Sequence, residues 1–175
     1  MAQSKKKSME LSAAVLDRII KEHEHTPGAL LTILECAQQH NDYKYLPESA
    51  LRHIAKKTKT PPAAVFSVAT FYSFFNLQPQ GEHTLTVCRG TACHTKGSKA
   101  LLEELAAQLG GTAAFQEGQN SFTTGDKKFT IRTVACFGQC ALAPVVAVDE
   151  TIHSRVTVQK LKKLIRDVQR GGKKK

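Results

Sequence analysis

The 175-residue chain lacks an apolar run long enough to cross a bilayer. Its longest uncharged stretch, Thr60 to Gly81, is interrupted by Pro, Asn and Gln. No apolar segment follows the basic cluster at the N-terminus, so no secretory signal is expected and a cytoplasmic location is. The C-x-x-C pair of dithiol oxidoreductases is missing. So is a Gly-rich dinucleotide fingerprint. No internal repeat is visible, and no general acid, base or nucleophile stands beside a companion group. What remains is globular: 41% hydrophobic and 23% charged residues, enough for one ordinary domain or two small ones.

The formal net charge of +10 invites a nucleic-acid reading. Its distribution weakens that reading. Lys5, Lys6, Lys7, Lys173, Lys174 and Lys175 hold more than half of the excess, in two terminal runs. Residues 1–8 are expected to be a disordered basic tail, and 170–175 a second basic tail, both solvated. Direct membrane insertion is not expected either.

The first half reads as helical. Leu11, Val15, Leu16, Ile19 and Ile20 form a stripe from Met9 to Glu24. Thr26-Pro27 ends that helix and opens the next, with Pro27 expected at its first position. The second helix should turn Leu30, Leu31, Ile33, Leu34 and Ala37 inward. A third begins at Leu46-Pro47-Glu48, and Pro61-Pro62 starts a fourth that runs through Tyr72. These make a four-helix bundle over residues 9–80.

Composition changes after Pro79-Gln80-Gly81. His83 to Val87 alternates as a strand. Lys96 to Gly110 is a helix with Leu101, Leu102, Leu105 and Leu109 on one face. Phe129 to Ala135 and Val145 to Val148 are strands, and Thr151 to Arg155 pairs back as a hairpin. Thr157 caps a last helix. Residues 81–169 thus form an α/β domain.

Five cysteines are present: Cys36, Cys88, Cys93, Cys136 and Cys140. An odd number without a signal peptide argues against a disulfide framework. Four of them form two pairs, Cys88-x4-Cys93 and Cys136-x3-Cys140, each just after an expected strand. Two adjacent strands would deliver both pairs to one sheet edge. Four thiolates there suit a 2Fe–2S cluster, in which each iron takes two protein sulfurs. Gly90, Thr91, Ala92 and Gly138 let backbone N–H groups approach the sulfurs. Ala141, Leu142, Ala143 and Pro144 follow as an expected apolar shield. Structural zinc is the competing occupant, although it favours C-x2-C knuckles. Four cysteines merely buried in a core is the third reading.

The stretches 68–75 (VATFYSFF), 87–94 (VCRGTACH) and 136–146 (CFGQCALAPVV) carry a family resemblance. The chain resembles the small 2Fe–2S subunit of NADH dehydrogenase modules, a thioredoxin-like ferredoxin of respiratory complex I. Equivalent subunits occur in NAD-dependent hydrogenases and formate dehydrogenases, including electron-bifurcating ones. The resemblance spans about Leu11 to Val168. It implies an α+β chain: an N-terminal four-helix bundle, then a thioredoxin-like α/β domain carrying one 2Fe–2S cluster. Cys88, Cys93, Cys136 and Cys140 would be the cluster ligands, the first pair on one iron and the second on the other. FMN and NAD(H) would bind only a larger flavoprotein partner, and further iron–sulfur subunits would complete the complex. The chain would transfer electrons without catalysing a reaction itself. One departure is a longer stretch between Cys93 and Cys136, with the extra residues around Phe115 to Asp126 expected as a surface hairpin or loop.

Other residues read more plainly. Cys36 lies on an apolar helix face and reads as core. His94, beside Cys93, reads as a neighbour of the ligands or as exposed. His23, His25, His40 and His53 form no ligand set. Phe71, Tyr72, Phe74 and Phe75 suit either a partner surface or packing. Glu48 to Phe75 also fits a helix-turn-helix with Lys56, Lys57 and Lys59 on phosphates. A zinc-stabilised, DNA-binding module is therefore the alternative function. Its second helix, however, offers almost no side chain able to read bases.

Overall fold

The computed structural model describes residues 11–110 and 120–170. The expected basic tails fall outside them, apart from Arg170, which caps the last helix. So do Met9, Glu10 and the first part of the 115–126 stretch. The chain divides into two compact units between Gln80 and Gly81.

The first unit holds α1 (Ala13–His23), α2 (Ala29–His40), α3 (Glu48–Lys57) and α4 (Pro62–Phe71). Ser12 caps α1 by accepting from the Val15 N–H. The second helix starts two residues later than expected. Gly28 adopts the left-handed region at φ 73°, and Pro27 sits in the preceding turn rather than at the first helical position. Pro62 does open its helix, where a missing N–H costs nothing. Leu16, Ile19, Ile33, Leu34, Leu51, Ile54 and Val65 share one core. Each such side chain stabilises by roughly 1.5–3 kcal/mol when fully buried. Leu31, expected inward, is exposed.

The second unit is a five-stranded mixed sheet with helices. Its elements are β1 (His83–Cys88), α5 (Thr91–Thr95), α6 (Ser98–Leu109), β2 (Ser121–Thr123), β3 (Phe129–Val134), β4 (Val146–Val148), β5 (Thr151–His153) and α7 (Val158–Gln169). The strand order is β2-β3-β1-β4-β5. β1 and β3 pair in parallel, with His83 opposite Phe129 and Cys88 opposite Val134. The other pairings are antiparallel. Leu85, Val87, Ile131, Val146, Leu101, Leu105, Leu161 and Ile165 fill the core between sheet and helices. Thr157 caps α7 by accepting from the Lys160 N–H. Among the described residues, no helix is long and apolar enough to cross a membrane.

Candidate metal centre

Parallel pairing decides where the cysteines go. Two parallel neighbours end at the same sheet edge. Cys88 is the last residue of β1, and Cys136 follows two residues after the end of β3. The Arg89 N–H donates to the Val134 carbonyl at 2.8 Å, holding the two exits together. Cys93 lies on α5, a short helix that sequence periodicity did not reveal because five residues give no repeat. Cys140 begins a 3₁₀ turn, Cys140–Leu142. None of the four is in a disulfide.

The two pairs occupy different surroundings. Cys88 and Cys93 are buried, each 2% exposed, and pack with Ala143 and Val145. Cys136 and Cys140 are exposed, with sulfurs 3.9 Å apart. Ala92, Val134 and Phe137 close over the buried pair. The expected shield is thus corrected. Ala143 is buried, but Ala141 and Leu142 face solvent, because the 3₁₀ turn points them outward. Val145 and Phe137 take their place.

The electrostatics single out Cys88. Burial pushes the Cys88 thiol up. The Gly90 and Phe137 backbone N–H groups, with the Cys93 and Cys136 thiols, outweigh it and hold Cys88 below its ordinary value. Cys88 therefore lies within hydrogen-bonding reach of both cysteine segments. Burial, opposed by the Val145 backbone, raises Cys93, and the neighbouring Cys88 raises it further. Cys140 is raised by its contact with Cys136. The Gly138 N–H donates to the Cys136 sulfur at 3.2 Å, a direction its left-handed φ of 77° permits. Gly90 lets the first loop touch the second: a Cβ there would sit 3.0 Å from the Ala135 carbonyl oxygen and 3.5 Å from the Cys136 sulfur.

Four convergent thiols, backbone donors and an apolar wall match the donor chemistry of an iron–sulfur cluster. Among the described residues, no three His, Cys, Asp or Glu side chains are arranged to hold a single metal ion. A family model described as thioredoxin-like [2Fe-2S] ferredoxin matches residues 16–169. The chain belongs to that family. This ferredoxin is 36% identical over 142 residues to the HndA component of the NADP-reducing hydrogenase of Solidesulfovibrio fructosivorans, covering 79% of this chain and 75% of the relative. It is 35% identical over 138 residues to a component of the NADH-quinone oxidoreductase of Rickettsia felis, covering 79% of this chain and 78% of the relative. Its fold superimposes on a chain of an NAD+-reducing [NiFe]-hydrogenase, solved in the H2-reduced state, with a TM-score of 0.63. Identity there is 23%, and the match covers 81% of the ferredoxin but 22% of the hydrogenase chain.

The remaining candidates separate cleanly. His94 is exposed. Cys36 packs against the helical core, as expected, and its sulfur also lies 3.5 Å from His23 Nε2, a contact the sequence did not signal. Phe75 is buried, whereas Phe71, Tyr72 and Phe74 are exposed at 80%, 44% and 54%. Phe71 meets Tyr72 edge-on, and Tyr72 and Phe74 meet Phe75, yet only Phe75 is withdrawn from solvent. Gln38, buried on α2, fixes that segment. Its Nε2 donates to the Phe74 carbonyl at 3.2 Å and its Oε1 accepts from the Asn76 N–H at 2.6 Å. On α4, the Ser67 and Thr70 hydroxyls donate to carbonyls of their own helix. Each hydroxyl's one proton is thus already donated within the helix, and nothing supports the DNA-binding reading.

Proposed function

We propose that this ferredoxin is the electron-transfer subunit of a multi-subunit NADH-dependent oxidoreductase. Cys88, Cys93, Cys136 and Cys140 are its ligands for one 2Fe–2S cluster. The observation that carries this reading is the delivery of both cysteine pairs to one edge by the parallel β1–β3 pair. When bound, such a cluster supplies one-electron redox chemistry.

The chain's own residues then have separate tasks. Cys88 and Cys93 anchor from the buried side, while Cys136 and Cys140 hold the side open to solvent or a partner. The Gly90, Phe137 and Gly138 N–H groups stabilise negative charge on the sulfurs. Ala143, Val145 and Phe137 exclude water.

NADH gives up a hydride, so FMN must convert two electrons into single ones. The chain has no dinucleotide fingerprint. FMN and NAD(H) therefore belong to a larger flavoprotein subunit, with further iron–sulfur subunits beyond. The hydrogenase and NADH-quinone oxidoreductase relatives, both components of larger assemblies by name, support such a complex. Residues 9–80 act as a four-helix bundle that grips the partner, and residues 81–169 as the cluster domain. The exposed Phe71, Tyr72 and Phe74 give the bundle its contact surface. The complex works in the cytoplasm.

Protein purified without air should be brown and, once reduced, give a 2Fe–2S signal in electron paramagnetic resonance. Cys88→Ser and Cys140→Ser should each lower iron content. A colourless protein carrying one zinc would overturn the reading.

A further inference from the structure

The four proposed ligands differ in how an oxidant meets them. Cys88 and Cys93 are each 2% exposed and walled by Ala143 and Val145. Cys136 and Cys140 are exposed, in a loop whose Ala135 is exposed too. Their sulfurs stand 3.9 Å apart. A disulfide needs about 2.05 Å, and only three residues separate the two, so little chain entropy opposes closure. Gly138, already at φ 77°, adds no side chain to that loop, with open space around its missing Cβ.

We propose that, before the cluster is inserted, Cys136 and Cys140 form a reversible disulfide that locks the site against loading. The lock rests on the ligand set proposed above. The oxidant is a small-molecule disulfide of the glutathione type. One exposed thiolate attacks a sulfur of that molecule, giving a mixed disulfide on the protein and releasing one small thiol. The second cysteine attacks the protein-bound sulfur, closes the Cys136–Cys140 bond and releases the second small thiol. Two protein thiols are oxidised, one small disulfide is reduced, and the two protons leave on the released thiols. The closed pair has no thiolate to offer, so half of the ligand set is withdrawn. Cys88 and Cys93 stay reduced because the oxidant does not reach them, and Cys140, which shares the exposed loop with Cys136, resolves the mixed disulfide ahead of the buried Cys88. A dithiol reductant reopens the site. Loading of this ferredoxin is thereby tied to the thiol redox state of its surroundings.

Trypsin separates the possibilities. Arg89 cuts between Cys88 and Cys93, whereas Cys136 and Cys140 share one fragment, Thr133–Arg155. The full chain would be freed of its cluster, reduced, and exposed without air to oxidised glutathione. Free thiols would then be alkylated under denaturing conditions and the digest weighed. The expected result is a Thr133–Arg155 fragment lighter by two hydrogens, with Cys88 and Cys93 both alkylated. Ferric iron and stoichiometric sulfide added to the oxidised protein should give no visible cluster band until a dithiol is supplied, with the disulfide weighed again after loading. In Cys140→Ser, Cys136 should instead retain a glutathione adduct. Fragments cross-linked through Cys88 or Cys93, or a wild-type Cys136 that keeps glutathione, would overturn the lock alone, provided the reduced protein loads normally. The predicted disulfide, still present after undiminished loading, would overturn the lock and the ligand reading together.

Discussion

Replacing Gly90 by alanine should push the two cysteine loops apart. The new Cβ would lie 3.0 Å from the Ala135 carbonyl oxygen, where ordinary contacts begin at 3.4 Å. Relief requires a movement of about 0.4 Å in the second loop. The Gly90 backbone, at φ −57° and ψ 153°, suits any residue, so contact alone sets the cost. Overpacking costs about 1–3 kcal/mol, and an exposed neighbour such as Ala135 can yield, which favours ~1 kcal/mol. For a unit of this size that is a fall in Tm of roughly 4–8 °C. Moving the second loop also lengthens the Phe137 N–H contact to the Cys88 sulfur, so the cluster's reduction potential should drop. Calorimetry and a redox titration read the two effects, with iron content as the check on loading. A matched series at Gly138 isolates the mechanism. There the space is open and the cost is the left-handed backbone, so asparagine should be tolerated better than alanine. At position 90, valine should cost more than alanine. Equal melting of Gly90→Ala and Gly90→Val, with wild-type iron and potential, would refute the close-approach argument.

Gly81→Ala faces a harder wall, with its Cβ 2.5 Å from the Phe129 carbonyl carbon. Backbone cannot yield as a loop does, so about 3 kcal/mol should be lost, and an unchanged denaturant midpoint would count against it. In the helical unit, the side-chain bonds from His53 and Lys57 hold the Asp17 carboxyl below its ordinary value of 3.8. A lowered carboxyl contributes stability above its unfolded pKa and loses it as pH falls through the folded one. Asp17→Asn should therefore flatten the acid loss of stability below about pH 4 in urea titrations at stepped pH. Converting Phe71 and Phe74 to serine should leave melting within ~0.5 kcal/mol and iron content intact, since both are exposed. It should reduce co-purification of the larger subunits, and full retention would exclude this surface.

The sequence made the strands and capped helices legible because alternation, Thr157 and Pro62 are local signals. The pairing of the cysteine segments was legible too, since each follows a strand. Other features depend on tertiary context. The short α5 has too few residues for a period, and β2, only Ser121–Thr123, exists by pairing with β3. Pro27 misled because Gly28 takes a left-handed turn before the helix starts. Ala141 and Leu142 misled because an apolar run says nothing about which way a 3₁₀ turn faces. Gln38 is a buried polar residue whose partners lie far along the chain, at Phe74 and Asn76, and no pattern announces it.

The parallel β1–β3 register has a consequence for the order in which this ferredoxin is built. Each cysteine pair is local, but the pairs meet only when strands far apart in the chain, from His83 to Phe129, have found each other. Such non-local pairing is slow. Ligands drawn from both sides of the β1–β3 seam would then act as a cross-link over the long connection between Cys93 and Cys136. A chain-entropy account values a closure of that span at about 4 kcal/mol. With the proposed ligand set the cofactor would also staple the sheet, and chelating the iron should loosen β1 from β3 in hydrogen exchange before any helix opens.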